Sequence, residues 1–232
     1  RQIANADLLI WIGEEMTPWL ARTREGVASD VPHLEFIEGE DHAEETEEDH
    51  IGEAQDEQEH HHEDPHFWLD THEAIEMVEL IGQKLSELDP EGAEFYHLNA
   101  AAAVSDIQSL TQEVLTLLAG VPEVPFAVTH DGFRYFVDQF GLNQVGNLTG
   151  IQDSGASAKT VSKLAEMTQN GEISCVFGEV AESNKLAQVL VDEGAKLGQS
   201  LDAAGITLER GPTLYRDLIL RMALSFKDCL SD

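Results

Sequence analysis

The chain of 232 residues is long enough for two modest lobes, and its 42% hydrophobic content suffices for a packed interior, which excludes disorder throughout. A net charge of −32 argues against nucleic acid or an anionic membrane as partner, since both need basic patches, and favours cations. No stretch reaches the ~20 consecutive apolar residues that a membrane-spanning helix needs, so an integral membrane protein is not expected.

The opening, Arg1-Gln2-Ile3-Ala4-Asn5-Ala6-Asp7, carries no signal-peptide pattern and reads as a truncated start. Residues 7–13 form a short apolar run stopped by glycine, which predicts a buried strand. A short helix is expected over 16–24 and a second small strand over 34–37. Residues 38–64 are acidic and low in large apolar side chains, so they cannot fold back as core. That insert holds His42, His50, His60, His61 and His62, within a longer span, 25–83, that has no Lys or Arg. A charge run of this kind is ordinarily a solvated loop, but histidines among the acids turn the reading toward metal.

Beyond the insert, Ile75, Val78, Ile81, Leu85 and Leu88 fall at three- and four-residue steps and predict an amphipathic helix that ends before Asp89-Pro90. A second helix over 91–119 would run ~40 Å at 1.5 Å per residue, long enough to bridge two lobes. The remainder alternates. Strands are expected at 126–129, 143–148, 173–178 and 195–201, and helices at 132–140, 158–169, 183–193 and 213–230. Such alternation indicates β-α-β units and a mainly parallel sheet. The expected organisation is an N-terminal lobe over 1–90, a connecting helix over 91–119 and a C-terminal lobe over 120–232.

The densest chemistry lies in His60-His61-His62-Glu63-Asp64-Pro65-His66-Phe67-Trp68-Leu69-Asp70, with four histidines and three carboxylates in eleven residues. Imidazole and carboxylate together suit zinc among other ions. His60 to His62 sit in polar, loop-like sequence, whereas His66 sits where a fold can hold a side chain still. Ligands of parallel sheets bind beyond the carboxyl ends of strands. His130 directly follows the strand expected at 126–129, and Asp202 the one at 195–201. Alone, a histidine at a strand end is more often a hydrogen-bonded structural residue, and an aspartate there can simply cap a turn. His66, His130 and Asp202 gain weight together because each ends an apolar element. Cys175 and Cys229 fit either two buried free thiols in a cytosolic protein or a disulfide in an exported one.

The run Asp64-Pro65-His66-Phe67-Trp68-Leu69-Asp70 resembles the signature of the cluster A-I metal-binding proteins of bacterial ABC importers, the high-affinity zinc (ZnuA-like) and manganese receptors. The resemblance extends to residues 5–13, to Thr129-His130-Asp131-Gly132-Phe133, to Cys175-Val176-Phe177-Gly178-Glu179 and to Leu201-Asp202-Ala203-Ala204-Gly205. It implies an α/β fold of two lobes, each a small mainly parallel sheet flanked by helices, joined by one long helix. It implies metal ligands His66 from the first lobe and His130 and Asp202 from the second, plus a histidine preceding the match at residues 5–13 and outside this chain. A disulfide between Cys175 and Cys229 is implied as well, as are a periplasmic location, an ABC permease as partner and a monomeric state. Manganese receptors present a carboxylate where this chain has His130, and a His-rich loop before the signature marks zinc members. Imidazole and the Irving–Williams order both place Zn²⁺ above Mn²⁺.

Three rivals remain to be weighed: a manganese receptor, a periplasmic zinc buffer or surface interaction protein with no transporter, and a zinc hydrolase. A hydrolase needs an open metal position and a general base. His62-Glu63-Asp64-Pro65-His66 has the His-Glu-x-x-His spacing, but the hydrolase pattern needs a helix that puts both histidines on one face, and Pro65 inside it opposes one. His72-Glu73 continues as Ala74-Ile75-Glu76, and Glu179 is the one spare carboxylate at a strand end. An enzyme is therefore not expected. His33, His72 and His97 read as surface residues, and Trp11, Trp19 and Trp68 as core and lobe-interface residues.

Overall fold

The structure, a computed structural model, describes residues 2–14, 16–37, 64–121, 123–151, 155–180 and 183–231. His42, His50, His60, His61 and His62, the expected auxiliary ligands, lie outside the described residues. The chain divides into two compact units, Arg1–Pro65 with Leu80–His97 and His66–Glu79 with Leu98–Asp232. Residues His66–Glu79 thus group with the later sequence, not with the residues that precede them.

In the first unit, β1 (Leu9–Gly13) and β2 (His33–Ile37) make a parallel two-stranded sheet in the register Leu9 with His33 through Gly13 with Ile37. α1 (Pro18–Val27) lies between them in sequence. It starts two residues later than expected because Pro18, with its fixed φ, opens the helix in place of Met16. Trp11 and Ala21 are buried, but Trp19 is exposed on α1, which corrects its reading as a core residue. α2 (Thr71–Leu88) and α3 (Ala93–Leu117) contribute residues to both units. At the start of α2 the Asp70 Oδ1 accepts the His72 N–H at 2.7 Å, satisfying a donor that the helix leaves open.

The second unit holds a four-stranded parallel sheet of β3 (Phe126–His130), β4 (Gln144–Thr149), β5 (Cys175–Phe177) and β6 (Lys196–Leu197), in the order β4-β3-β5-β6. Successive strand side chains point to opposite faces, and the packing follows that period. Phe126 and Val128 of β3, with Cys175 and Phe177 of β5, join a core shared with α3, α4 (Arg134–Gln139) and α7 (Leu214–Leu230). Ala127 and Val176 face the other way, onto α5 (Ala158–Gln169) and α6 (Lys185–Asp192). The sheet is therefore a central layer with helices on both sides, and every β3 residue is buried. On the first face Phe226 of α7 stands at 5.1 Å from the Phe126 ring, 4.9 Å from Phe177 and 5.5 Å from Phe136.

Cys175 and Cys229 form a disulfide with 6.3 Å between their Cα atoms, tying β5 to α7. That settles the choice between free thiols and a bridge. The last strand is shorter than the expected 195–201. Its ladder stops at Leu197 and resumes as a single parallel bridge from Leu201 to Glu179. Between them Gly198 lies against the Phe177 ring so closely that a Cβ there would be 2.2 Å from it.

Candidate metal site

His130 is the final residue of β3, paired with Thr149 across the sheet, one position earlier than the expected place after the strand. Because β3 is central, its carboxyl end is walled on both sides and His130 is 92% buried by its 8% exposure. β3 leads toward β4 on one side, and β5 toward β6 on the other. Chain connections diverge there, which is where ligands of such sheets bind.

His66 reaches the same place from a different element. It precedes the single 3₁₀ turn Phe67–Leu69, in which the Leu69 N–H donates to the His66 carbonyl at 3.0 Å and the Asp70 N–H to that of Phe67 at 3.0 Å. Phe67 and Leu69 are buried, so the alternate residues of the turn anchor it. Trp68 packs edge-on to Phe67, with ring centres 6.1 Å apart, and its ring also stands beside His66. The His66 and His130 ring centres are 5.5 Å apart with ring planes at 76°. Two imidazoles bound to one tetrahedral zinc through nitrogens at ~2.0–2.1 Å carry ring centres about 5 Å apart. The observed spacing fits a shared ion of that size.

Gly132 completes the wall. A Cβ built there would lie 2.9 Å from His130 Nε2 and 3.2 Å from His66 Cε1, so the two rings converge on the hydrogen of this residue. Any side chain at 132 would occupy the space the imidazoles face. Sequence reasoning placed Gly132 within a matched segment but gave it no role, because close approach is a tertiary property.

Asp202 follows the Leu201–Glu179 bridge, as the strand-end argument expected. Its Oδ1 accepts the Ile206 N–H at 3.0 Å, and its Oδ2 accepts the Thr207 N–H at 2.9 Å and the Thr207 hydroxyl at 2.7 Å. Burial pushes this carboxyl up, but the bonds from the Thr207 side chain and from the N–H groups of Thr207, Ile206 and Gly205 outweigh it and hold it below its ordinary value of 3.8. These donors hold the carboxylate in one orientation. Among the described residues, however, no three His, Cys, Asp or Glu side chains converge closely enough to count as a formed metal cluster. The structure brings His66 and His130 together. Asp202 is turned into the 205–207 turn.

Two contacts outside the expected ligand set connect these pieces. Trp68 Nε1 donates to the Ala203 carbonyl at 2.9 Å, and the Tyr215 hydroxyl donates to the Trp68 carbonyl at 2.9 Å. Burial and then the charge of Asp70 push the Tyr215 phenol well above the usual tyrosine range, which keeps it a donor. Neither contact had a sequence signal, because each spans more than a hundred residues. His33, His72 and His97 are exposed, as expected, and His72 lies beside Asp70 at 3.4 Å.

The family model described as zinc-uptake complex component A, periplasmic, matches residues 1–229. The high-affinity zinc uptake system protein ZnuA of Brucella suis biovar 1 is 36% identical over 168 residues, 72% of this chain and 50% of that protein. The chain thus spans about half the length of the Brucella relatives it matches. The ZnuA of Paracoccus denitrificans is 30% identical over 265 residues, which covers 99% of this chain and 78% of that one. Among solved structures, a ZnuA deletion mutant crystallised with zinc bound superposes with a TM-score of 0.76 at 22% identity, covering 99% of this chain and 81% of the other. At that identity the superposition speaks for the fold: small parallel sheets flanked by helices. With a family match that runs through both units, and through the strand ends that carry His130 and Asp202, the chain belongs to the family of periplasmic zinc-uptake complex component A proteins.

Proposed function

We propose that the chain is the zinc-binding receptor of a bacterial ABC importer, which captures Zn²⁺ in the periplasm and hands it to a membrane permease. The observation that carries this reading is the His66–His130 pair, 5.5 Å apart and converging on Gly132. His66 and His130 supply two nitrogen ligands, and Asp202 supplies an oxygen ligand oriented by hydrogen bonds from Ile206 and Thr207. Nitrogen from His130 favours zinc over manganese. His42, His50, His60, His61 and His62 collect zinc weakly and raise its concentration near the folded site. The cycle is capture and release with no covalent step. It needs no general base. The relatives named as zinc uptake proteins support both the cargo and the importer.

The test is elemental analysis and calorimetry on the purified chain, on His66→Ala and His130→Ala, and on a chain lacking residues 40–63. The intact chain is expected to hold zinc, each single variant to lose at least tenfold in affinity, and the deletion to keep the tight site while acquiring zinc more slowly. Loss of all zinc binding in the deletion, with no change in the two single variants, would overturn the assignment.

A further inference from the structure

The Trp68 indole stands between groups that the cargo reading treats separately. Its ring centre is 5.3 Å from that of His66. Its N–H is committed to the carbonyl of Ala203, the residue after Asp202, and its own carbonyl receives the Tyr215 hydroxyl from the first turn of α7. His66 and Asp202 are 136 positions apart in sequence, and this single side chain spans the interval between their segments. Trp68 is only half-buried, and Ala203 is 2% exposed, so the bond fixes a partly open indole onto a closed loop. A tryptophan N–H that reaches a carbonyl makes one directional bond while the ring still packs, which few other side chains combine.

From this geometry we infer that Trp68 is a positioning residue for the zinc site, latching the His66 turn to the Asp202 loop and so setting how fast bound zinc leaves. The inference rests on the cargo reading proposed above. The chain of contacts runs from Tyr215 through the Trp68 backbone to its indole and on to Ala203. With the latch closed, a ligand that lets go of the ion stays within reach and rebinds. With it open, the His66 turn and the 202–207 loop fluctuate independently, and dissociation no longer requires both to move together. Preorganised ligand shells act in this way, through residues that touch the ligands and not the ion. Gly132 lies against the two imidazoles and the Thr207 donors hold the Asp202 carboxylate, whereas Trp68 ties the His66 turn to the Asp202 loop.

The experiment uses the full chain loaded with zinc and mixed with excess chromophoric chelator in a stopped-flow instrument. Trp68→Phe keeps an aromatic ring beside His66 and removes the N–H donor. Its zinc dissociation rate is expected to rise at least tenfold, with the association rate unchanged within about twofold. Ser157→Ala, which removes the hydroxyl that caps α5, serves as the control for lost stability alone and should release zinc at the unaltered rate. A second readout keeps Trp68 in place. In a chain carrying Trp11→Phe and Trp19→Phe, emission from Trp68 should change on zinc addition with the midpoint of binding, and should stop responding in the added presence of His66→Ala. Release from Trp68→Phe at the unaltered rate, or equally fast release from Ser157→Ala, would overturn the inference. So would a Trp68 emission blind to zinc, even if the phenylalanine variant fails to fold. An unmodified chain that takes up no zinc would instead sink the cargo reading, and this inference with it.

Discussion

A methyl group at position 132 would stand where the two imidazoles meet, 2.8 Å from His130 Cδ2 and 3.2 Å from His66 Cε1. The first distance is shorter than a real Cβ contact tolerates, and His130 ends a fully buried strand that cannot give way cheaply. The rings must therefore part. Gly132→Ala is expected to weaken zinc binding by at least tenfold, on the order of 1.4 kcal/mol, in competition titrations. Its thermal midpoint without metal should fall by only a few degrees, because the added atom meets the two imidazoles and not the apolar core. An unchanged affinity would mean that the two imidazoles do not close on one ion. His66, His130 and Asp202 were each nameable from sequence because strand ends and signature turns are local patterns. Gly132, Trp68 and Thr207 were not, since what each does depends on a neighbour supplied by distant chain.

Among the elements, the disulfide joins the shortest fully buried strand to the longest helix of the second unit after α3. Cys175 lies in β5 and Cys229 in the last turn of α7, 54 residues apart. Closing a loop of that length removes freedom from the unfolded chain worth about 4 kcal/mol in the chain-entropy account. Replacing both cysteines by serine is expected to lower unfolding stability by roughly that amount in denaturant titrations, through a lower midpoint with a larger slope. A loss below about 1 kcal/mol would show that the Phe226 cluster holds α7 on the sheet unaided. The elements themselves were largely legible. α2, α5 and α7 follow apolar spacing and punctuation by Asp89-Pro90, Ser157 and Gly211, all of which lie within a few residues of the ends they set. β6 was overdrawn because pairing lapses between Gly198, whose N–H still reaches the Val176 carbonyl, and Leu201, and no local propensity encodes that gap.

At the scale of the molecule, 45 acidic residues against 13 basic ones give the chain a large negative charge, which favours divalent cations on approach. Release must then be triggered at the ligands themselves, and protons compete there. A ligating imidazole has to be unprotonated, so zinc affinity falls with acid. Asp202 is not the group that yields first. Its carboxyl is held below 3.8, so whatever it contributes to stability is present above that pH and is lost only as pH falls through its lowered folded-state value. Proton competition for the ligating imidazole nitrogens is left as the route to release. At a free zinc level one hundred times the dissociation constant, binding stabilises the folded chain by about 2.7 kcal/mol. The upward shift in thermal midpoint that zinc produces near pH 7.5 is therefore expected to shrink steeply by about pH 5, while the metal-free midpoint moves far less. A zinc-induced shift equally large at the lower pH would point to a carboxylate-dominated site and would remove His66 and His130 from the ligand set.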